Sequence, residues 1–260
     1  MSRRDGYQHG VPSWIAGAHP EPEQAVTFYG ELLGWQASDT DSPDPYFVCT
    51  LDDCDVAAIG APLGADAGAA WRTNIWVESA DETAARVLAE GGSVVSEPFD
   101  LPGIGRSAVL ADPAGAVFGV FEPGERRGAQ IVNEPGAWAM SALTTPDPEG
   151  AKAFYGAVFG WEADVFAMGD LEVMTWRLPG FVGGEPQQPV PRDLVATGLP
   201  GAEAGWSADF WVADIDATTT KAAELGGAVL TGPIDLPIGR QATLADPQGA
   251  TFSVTRIAAP

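Results

Sequence analysis

The chain has 260 residues, 45% of them apolar, enough for two ordinary domains with buried cores. Its 36 acidic residues outnumber 13 basic ones, and the net charge of −23 makes nucleic-acid backbones and anionic membrane surfaces poor partners. Two cysteines suit a reducing compartment, no apolar run approaches membrane-spanning length, and the opening MSRRDGYQHG has no apolar signal core, so a soluble cytoplasmic chain is expected.

The first strong signal in chain order is Pro20-Glu21-Pro22-Glu23-Gln24-Ala25-Val26-Thr27-Phe28-Tyr29-Gly30, running on to Gly34-Trp35. An acidic residue and a proline suit the first turn of a helix. Ala25, Phe28, Tyr29, Leu32 and Leu33 then recur at helical spacing, and Gly34 supplies a stop. Next, Cys49 and Cys54 flank a turn at Asp52-Asp53 that pairs Leu51 with Cys54 and sets Cys49 against Val56, a register that disfavours a disulfide.

Trp71 to Val77 reads as a strand, followed by a helix from Asp81 to Glu90, the glycine pair Gly91-Gly92, and a strand opened by Gly105-Arg106. Asp112-Pro113-Ala114-Gly115 has a type I turn signature, and Ala116 to Phe121 closes the first half. Arg106 is expected to pair with Asp112. The segment 123–135 reads as a joint.

The same order then repeats. Pro146-Asp147-Pro148-Glu149 leads into Phe154-Tyr155-Gly156 and Gly160-Trp161, 126 positions after the first copy, an offset that holds back to Gly10 and Gly136. Trp206 to Val212 matches Trp71 to Val77, a helix is expected from Asp216 to Leu225, and Asp246-Pro247-Gln248-Gly249 repeats the turn, with Arg240 expected to pair with Asp246. The segment from Pro186 to Gly205 reads as a long irregular joint, of the kind that forms a lid or a plain linker. The chain therefore parses as an α+β protein of four βαβββ modules, residues 10–62, 71–122, 136–185 and 206–257. Residues 1–124 form one expected domain, 125–135 a linker and 136–260 a second. Each pair of modules is expected to make a curved mixed sheet around a hollow.

The FYG–GW helix, the Asp-Pro-x-Gly turn and the paired modules resemble the vicinal oxygen chelate superfamily of glyoxalases, bleomycin-type resistance proteins and extradiol dioxygenases. GRSAVLADPAGAVFGV and GRQATLADPQGATFSV look like its tandem actinobacterial members of the mycobacterial culture-filtrate antigen type. The resemblance implies metal ligands early in the first strand of a module and in the last strand of a domain. Those positions fall on Trp14, Arg72 and Gly119, and on Met140, Ser207 and Ser253. None is a usual ligand of a divalent cation, so no metal and no cofactor is expected.

Strand alternation puts the neighbours of those positions on the same face. Ligand-binding candidates are Trp14, Asn74, Trp76 and Phe121 in the first half, with Met140, Ser207, Trp211 and Ser253 in the second. Arg72, Asp209 and His19 are the catalytic candidates: Arg72 to pair with a carboxylate or enolate, Asp209 as a desolvated acid or base, His19 from a solvated loop. Three functions remain open. The first is a metal-free binder of an aromatic or conjugated small molecule, acting as monomer or homodimer. The second is a metal-independent lyase, isomerase or cyclase, and the third a scaffold whose hollows are filled.

Overall fold

The computed structural model describes residues 3–40, 45–62, 68–168, 171–183 and 191–258. The first half runs β1 (Pro12–Ala18), α1 (Pro22–Leu33), β2 (Gln36–Asp39), β3 (Tyr46–Leu51), β4 (Cys54–Gly60), β5 (Ala70–Trp76), α2 (Ala80–Ala89), β6 (Ser93–Leu101), β7 (Gly105–Ala111) and β8 (Val117–Pro123). The second runs β9 (Trp138–Thr145), α3 (Pro148–Phe159), β10 (Glu162–Met168), β11 (Leu171–Arg177), β12 (Leu194–Pro200), β13 (Gly205–Trp211), α4 (Ile215–Glu224), β14 (Ala228–Leu236), β15 (Gly239–Ala245) and β16 (Thr251–Ile257). Each half is one eight-stranded mixed sheet, ordered β2-β3-β4-β1-β5-β8-β7-β6 and β10-β11-β12-β9-β13-β16-β15-β14. The modules meet at an antiparallel seam, β1 on β5 and β9 on β13, while the outer neighbours of each seam strand run parallel to it.

Helix ends follow local chemistry. Pro22 and Pro148 start α1 and α3, and left-handed Gly34 and Gly160 stop them. Ser79 and Asp214 cap α2 and α4 by accepting from Glu82 and Ala217 amides, so these helices begin one residue before the expected Asp81 and Asp216. Two other expectations are corrected. Cys49 lies opposite Ala57 rather than Val56, because an irregularity between Cys49 and Thr50 shifts the register, and both cysteines are buried and free. The stretch read as an irregular joint from Pro186 to Gly205 contains strand β12, which joins β9 in parallel; its residues 186–190 lie outside the described residues.

The halves pack through their helix-covered sheet faces. One core joins Phe28, Tyr29, Trp35 and Trp71 of the first half to Phe210, Leu244 and Phe252 of the second. The other joins Leu110 and Phe118 to Phe154, Tyr155, Trp161 and Trp206. Midway between these cores, Thr73 and Ser141 share a buried hydroxyl hydrogen bond of 2.6 Å.

Polar groups fix this arrangement. The Trp71 indole donates to the Tyr29 hydroxyl (2.8 Å), which donates to Asp246 Oδ2 across the interface (3.0 Å). The second copy repeats it, Trp206 to Tyr155 at 2.9 Å and Tyr155 to Asp112 Oδ2 at 3.1 Å. The other oxygen of each aspartate accepts two amides of its own Asp-Pro-x-Gly turn. Trp35 donates to the Gly136 carbonyl and Trp161 to that of Gly10, both at 2.7 Å. Gly10 and Gly136 are left-handed, and a Cβ on either would press on a carbonyl of the other half, Phe159 or Leu33. The interval that runs back to these glycines is therefore an interface interval.

One partner breaks the symmetry. His19, expected in a solvated loop, is fully buried, with Nε2 2.7 Å from Asp246 Oδ2; Thr145 stands at the matching place in the second half. Burial pushes Asp246 up, but the His19 hydrogen bond and charge and the turn amides outweigh it, leaving the carboxylate below its ordinary range. Asp112, with no histidine, is raised by burial. Tyr155→Phe strips Asp112 Oδ2 of its donor, whereas Tyr29→Phe leaves Asp246 with His19. In urea denaturation Tyr155→Phe is expected to cost about 1–3 kcal/mol, and Tyr29→Phe less. Equal losses would contradict the asymmetry.

Candidate functional site

With the helix-covered faces turned inward, the opposite face of each sheet points outward. Across the first sheet the central row is Trp14, Asn74 and Gly119; across the second it is Met140, Asp209 and Ser253. Alternation adds Arg72, Trp76 and Phe121 to the first face, and Ser207, Trp211 and Thr255 to the second. All the expected site residues except His19 thus lie on outward faces, but on two separate ones. His19 lies in the interface, where its helix-entry turn meets the Asp246 turn.

The first face is largely closed. Asn74, Trp76, Ser107, Val109 and Phe121 are buried. The Asn74 amide lies where a Cβ on Gly119 would be. Trp76 meets Phe121 edge-on at 6.1 Å and is covered by Tyr7 of the N-terminal arm at 6.0 Å. Among the described residues, Trp14, Tyr46 and Arg72 mark a partly open end.

The second face is open. Met140, Ser207, Trp211, Gln241, Thr243 and Ser253 are all partly exposed. Phe166, paired with Val173, and Ile234, paired with Gln241, flank it at 48% and 49% exposure. Asp209 sits at its centre. Asp209 Oδ1 accepts from Thr255 Oγ1 at 2.7 Å and from Gln241 Nε2 at 3.2 Å. Oδ2 has no partner among the described residues and is not sealed from solvent. Burial pushes this carboxyl up to about 7, against the pull of the Thr255 and Gln241 donors. It can therefore give or take a proton near neutrality.

Sequence reasoning placed Asp209 but missed its partner Gln241, which alternation after Gly239-Arg240 would have reached. It missed Tyr46, which it assigned to no face. Arg106 and Arg240 do not pair with Asp112 and Asp246. Each sits at the start of its strand and holds instead an aspartate of the adjacent helix and one of the neighbouring strand, Asp81 and Asp100 for Arg106, Asp216 and Asp235 for Arg240.

The profile of the family described as "Glyoxalase-like domain" matches residues 14–121 and 127–255. A protein of Mycobacterium tuberculosis named "Putative glyoxylase CFP32" is 36% identical over 274 residues, 98% of each chain. The "Anthracycline biosynthesis protein DauV" of a Streptomyces species is 34% identical over 266 residues, covering 95% of this chain and 94% of its own. Among solved structures, the Mn(II)-bound glyoxalase from Novosphingobium aromaticivorans superposes with a TM-score of 0.67 at 17% identity, over 98% of this chain and 83% of that one. At that identity the likeness is one of fold.

A divalent cation needs several converging nitrogen or oxygen donors. Among the described residues no three His, Cys, Asp or Glu side chains converge. The row that would hold the ion in the second half offers a thioether, one carboxylate and a hydroxyl, and in the first an indole, an amide and a glycine. Neither set fits such an ion.

The raised Asp209 pKa has a stability signature. Its folded value of about 7 lies above an unfolded value of about 4, so its stabilising contribution is complete below about pH 4 and lost as pH rises through 7. Relative to Asp209→Asn, the wild-type protein is expected to lose on the order of 2–4 kcal/mol between pH 4 and pH 8 in chemical denaturation. A pH-independent difference would show that Asp209 is an ordinary solvated carboxylate.

Proposed function

The chain belongs to the glyoxalase-like domain family, and from that premise we propose that it is a metal-independent small-molecule-binding protein that holds a planar, conjugated organic ligand on the outward face of its second half. One observation carries this reading: the matching faces differ, the first closed over its own aromatic side chains and the second open around a central carboxyl. Trp211 offers a ring to stack on, Met140 a deformable apolar contact, and Phe166 and Ile234 an exposed apolar rim. Asp209 Oδ2, Ser207 and Ser253 supply polar groups to orient carbonyl or hydroxyl substituents. The kinship with an anthracycline biosynthesis protein supports a polycyclic aromatic ligand.

Asp209 also favours a second reading, a lyase, isomerase or cyclase that moves a proton at the bound ligand. Its pKa of about 7 and free Oδ2 suit a general acid or base.

Isothermal titration calorimetry with 1,8-dihydroxyanthraquinone in excess EDTA tests the proposal. Binding is expected to persist in the chelator and to weaken about tenfold in Trp211→Leu, the loss of one aromatic contact. A strict need for added divalent metal, or undiminished affinity in Trp211→Leu, would overturn it.

A further inference from the structure

Arg72 stands apart from the other enclosed arginines. Arg126 holds Asp55 at 2.6 Å, and Arg177 holds Asp164 at 2.8 Å. Arg72 projects from β5 onto the outward face of the first sheet and has no acid partner among the described residues, in a chain with 36 acidic residues. Among the described residues its Nε is sealed from solvent without an acceptor, while its terminal nitrogens, also without acceptors there, are not sealed. Ala16 lies directly opposite it, and a Cβ on Gly119, one row along on β8, would come within 3.4 Å of Nε. The group facing it is Tyr46, whose phenol burial holds in the protonated form. A guanidinium is always charged, and enclosing one without a counter-charge is unfavourable unless a ligand supplies that charge.

We propose that the partly open end of the first face is a second ligand site, separate from the one on the second half, in which Arg72 receives the carboxylate of an aromatic or conjugated acid. The guanidinium fork matches a carboxylate with two parallel hydrogen bonds. Trp14 and Tyr46 flank it with rings for the apolar body. The acidic field of the whole molecule repels small free anions, so the apolar body is needed for retention.

Calorimetry on the full chain with 2-naphthoate and its neutral counterpart 2-naphthamide tests the assignment. The naphthoate is expected to bind at one equivalent, at least tenfold tighter than the amide, and not to be displaced by 1,8-dihydroxyanthraquinone. Arg72→Met is expected to abolish that preference and also to unfold at a temperature equal to or above that of the free wild-type protein, because an uncompensated charge has been removed. Equal binding of the two probes, no binding of either, or naphthoate affinity retained in Arg72→Met would each overturn the site. If Arg72→Met fails to fold, the comparison of the two probes on the wild-type protein decides alone: a tenfold preference for the naphthoate supports the site, and equal binding overturns it.

Discussion

The tyrosine of each FYG segment donates a hydrogen bond to the aspartate of the other half's Asp-Pro-x-Gly turn, and the rest of the molecule is arranged around that pair of bonds. Each bond is buried; losing the Tyr155 bond would leave an unpaired Asp112 oxygen in the core, whereas Asp246 would keep His19. Each is also long-range, linking the first module of one half to the last module of the other. Trp35 and Trp161 reinforce it with bonds to Gly136 and Gly10. With four such bonds, and a core at each end shared between halves, the helix-covered faces are committed to each other. The opposite faces are left to the outside, and there the chemistry differs.

The two halves agree at the interface and disagree on those faces. Where one has Trp14, Arg72, Asn74 and Gly119, the other has Met140, Ser207, Asp209 and Ser253. The first set centres on a guanidinium, the second on a carboxyl that is half protonated near neutral pH. Burial acts on both in the same sense, against the charged form, but only the carboxyl can yield by taking a proton; the guanidinium stays charged. The second face can thus stand free of ligand at modest cost, while the first carries an uncompensated charge.

Much of this was legible in the chain. Prolines, acidic first turns and left-handed glycines marked α1 and α3, because helix ends are decided by residues within a turn of them. Alternation put Asp209 and Trp211 on one face for the same local reason. Contacts set by distant residues were hidden. His19 looked like a loop residue because its partner, Asp246, lies 227 positions away. The Cys49 register failed on a local irregularity, and β12 was obscured by the prolines before it. Arg106 was matched to the acid repeated beside it in sequence rather than to those its strand and helix bring near.

The claim on which the account rests is that a planar ligand sits on the second outward face, held by organic groups. Methyl NMR of ¹³C-methionine-labelled protein tests it directly, because Met140 lies on that face and Met174 is buried in the core between the halves. On titration with 1,8-dihydroxyanthraquinone in EDTA, the account predicts a ring-current shift of the Met140 methyl and a stationary Met174 methyl. A stationary Met140 signal at saturating ligand, or a shift that appears only when a divalent metal is supplied, would contradict it.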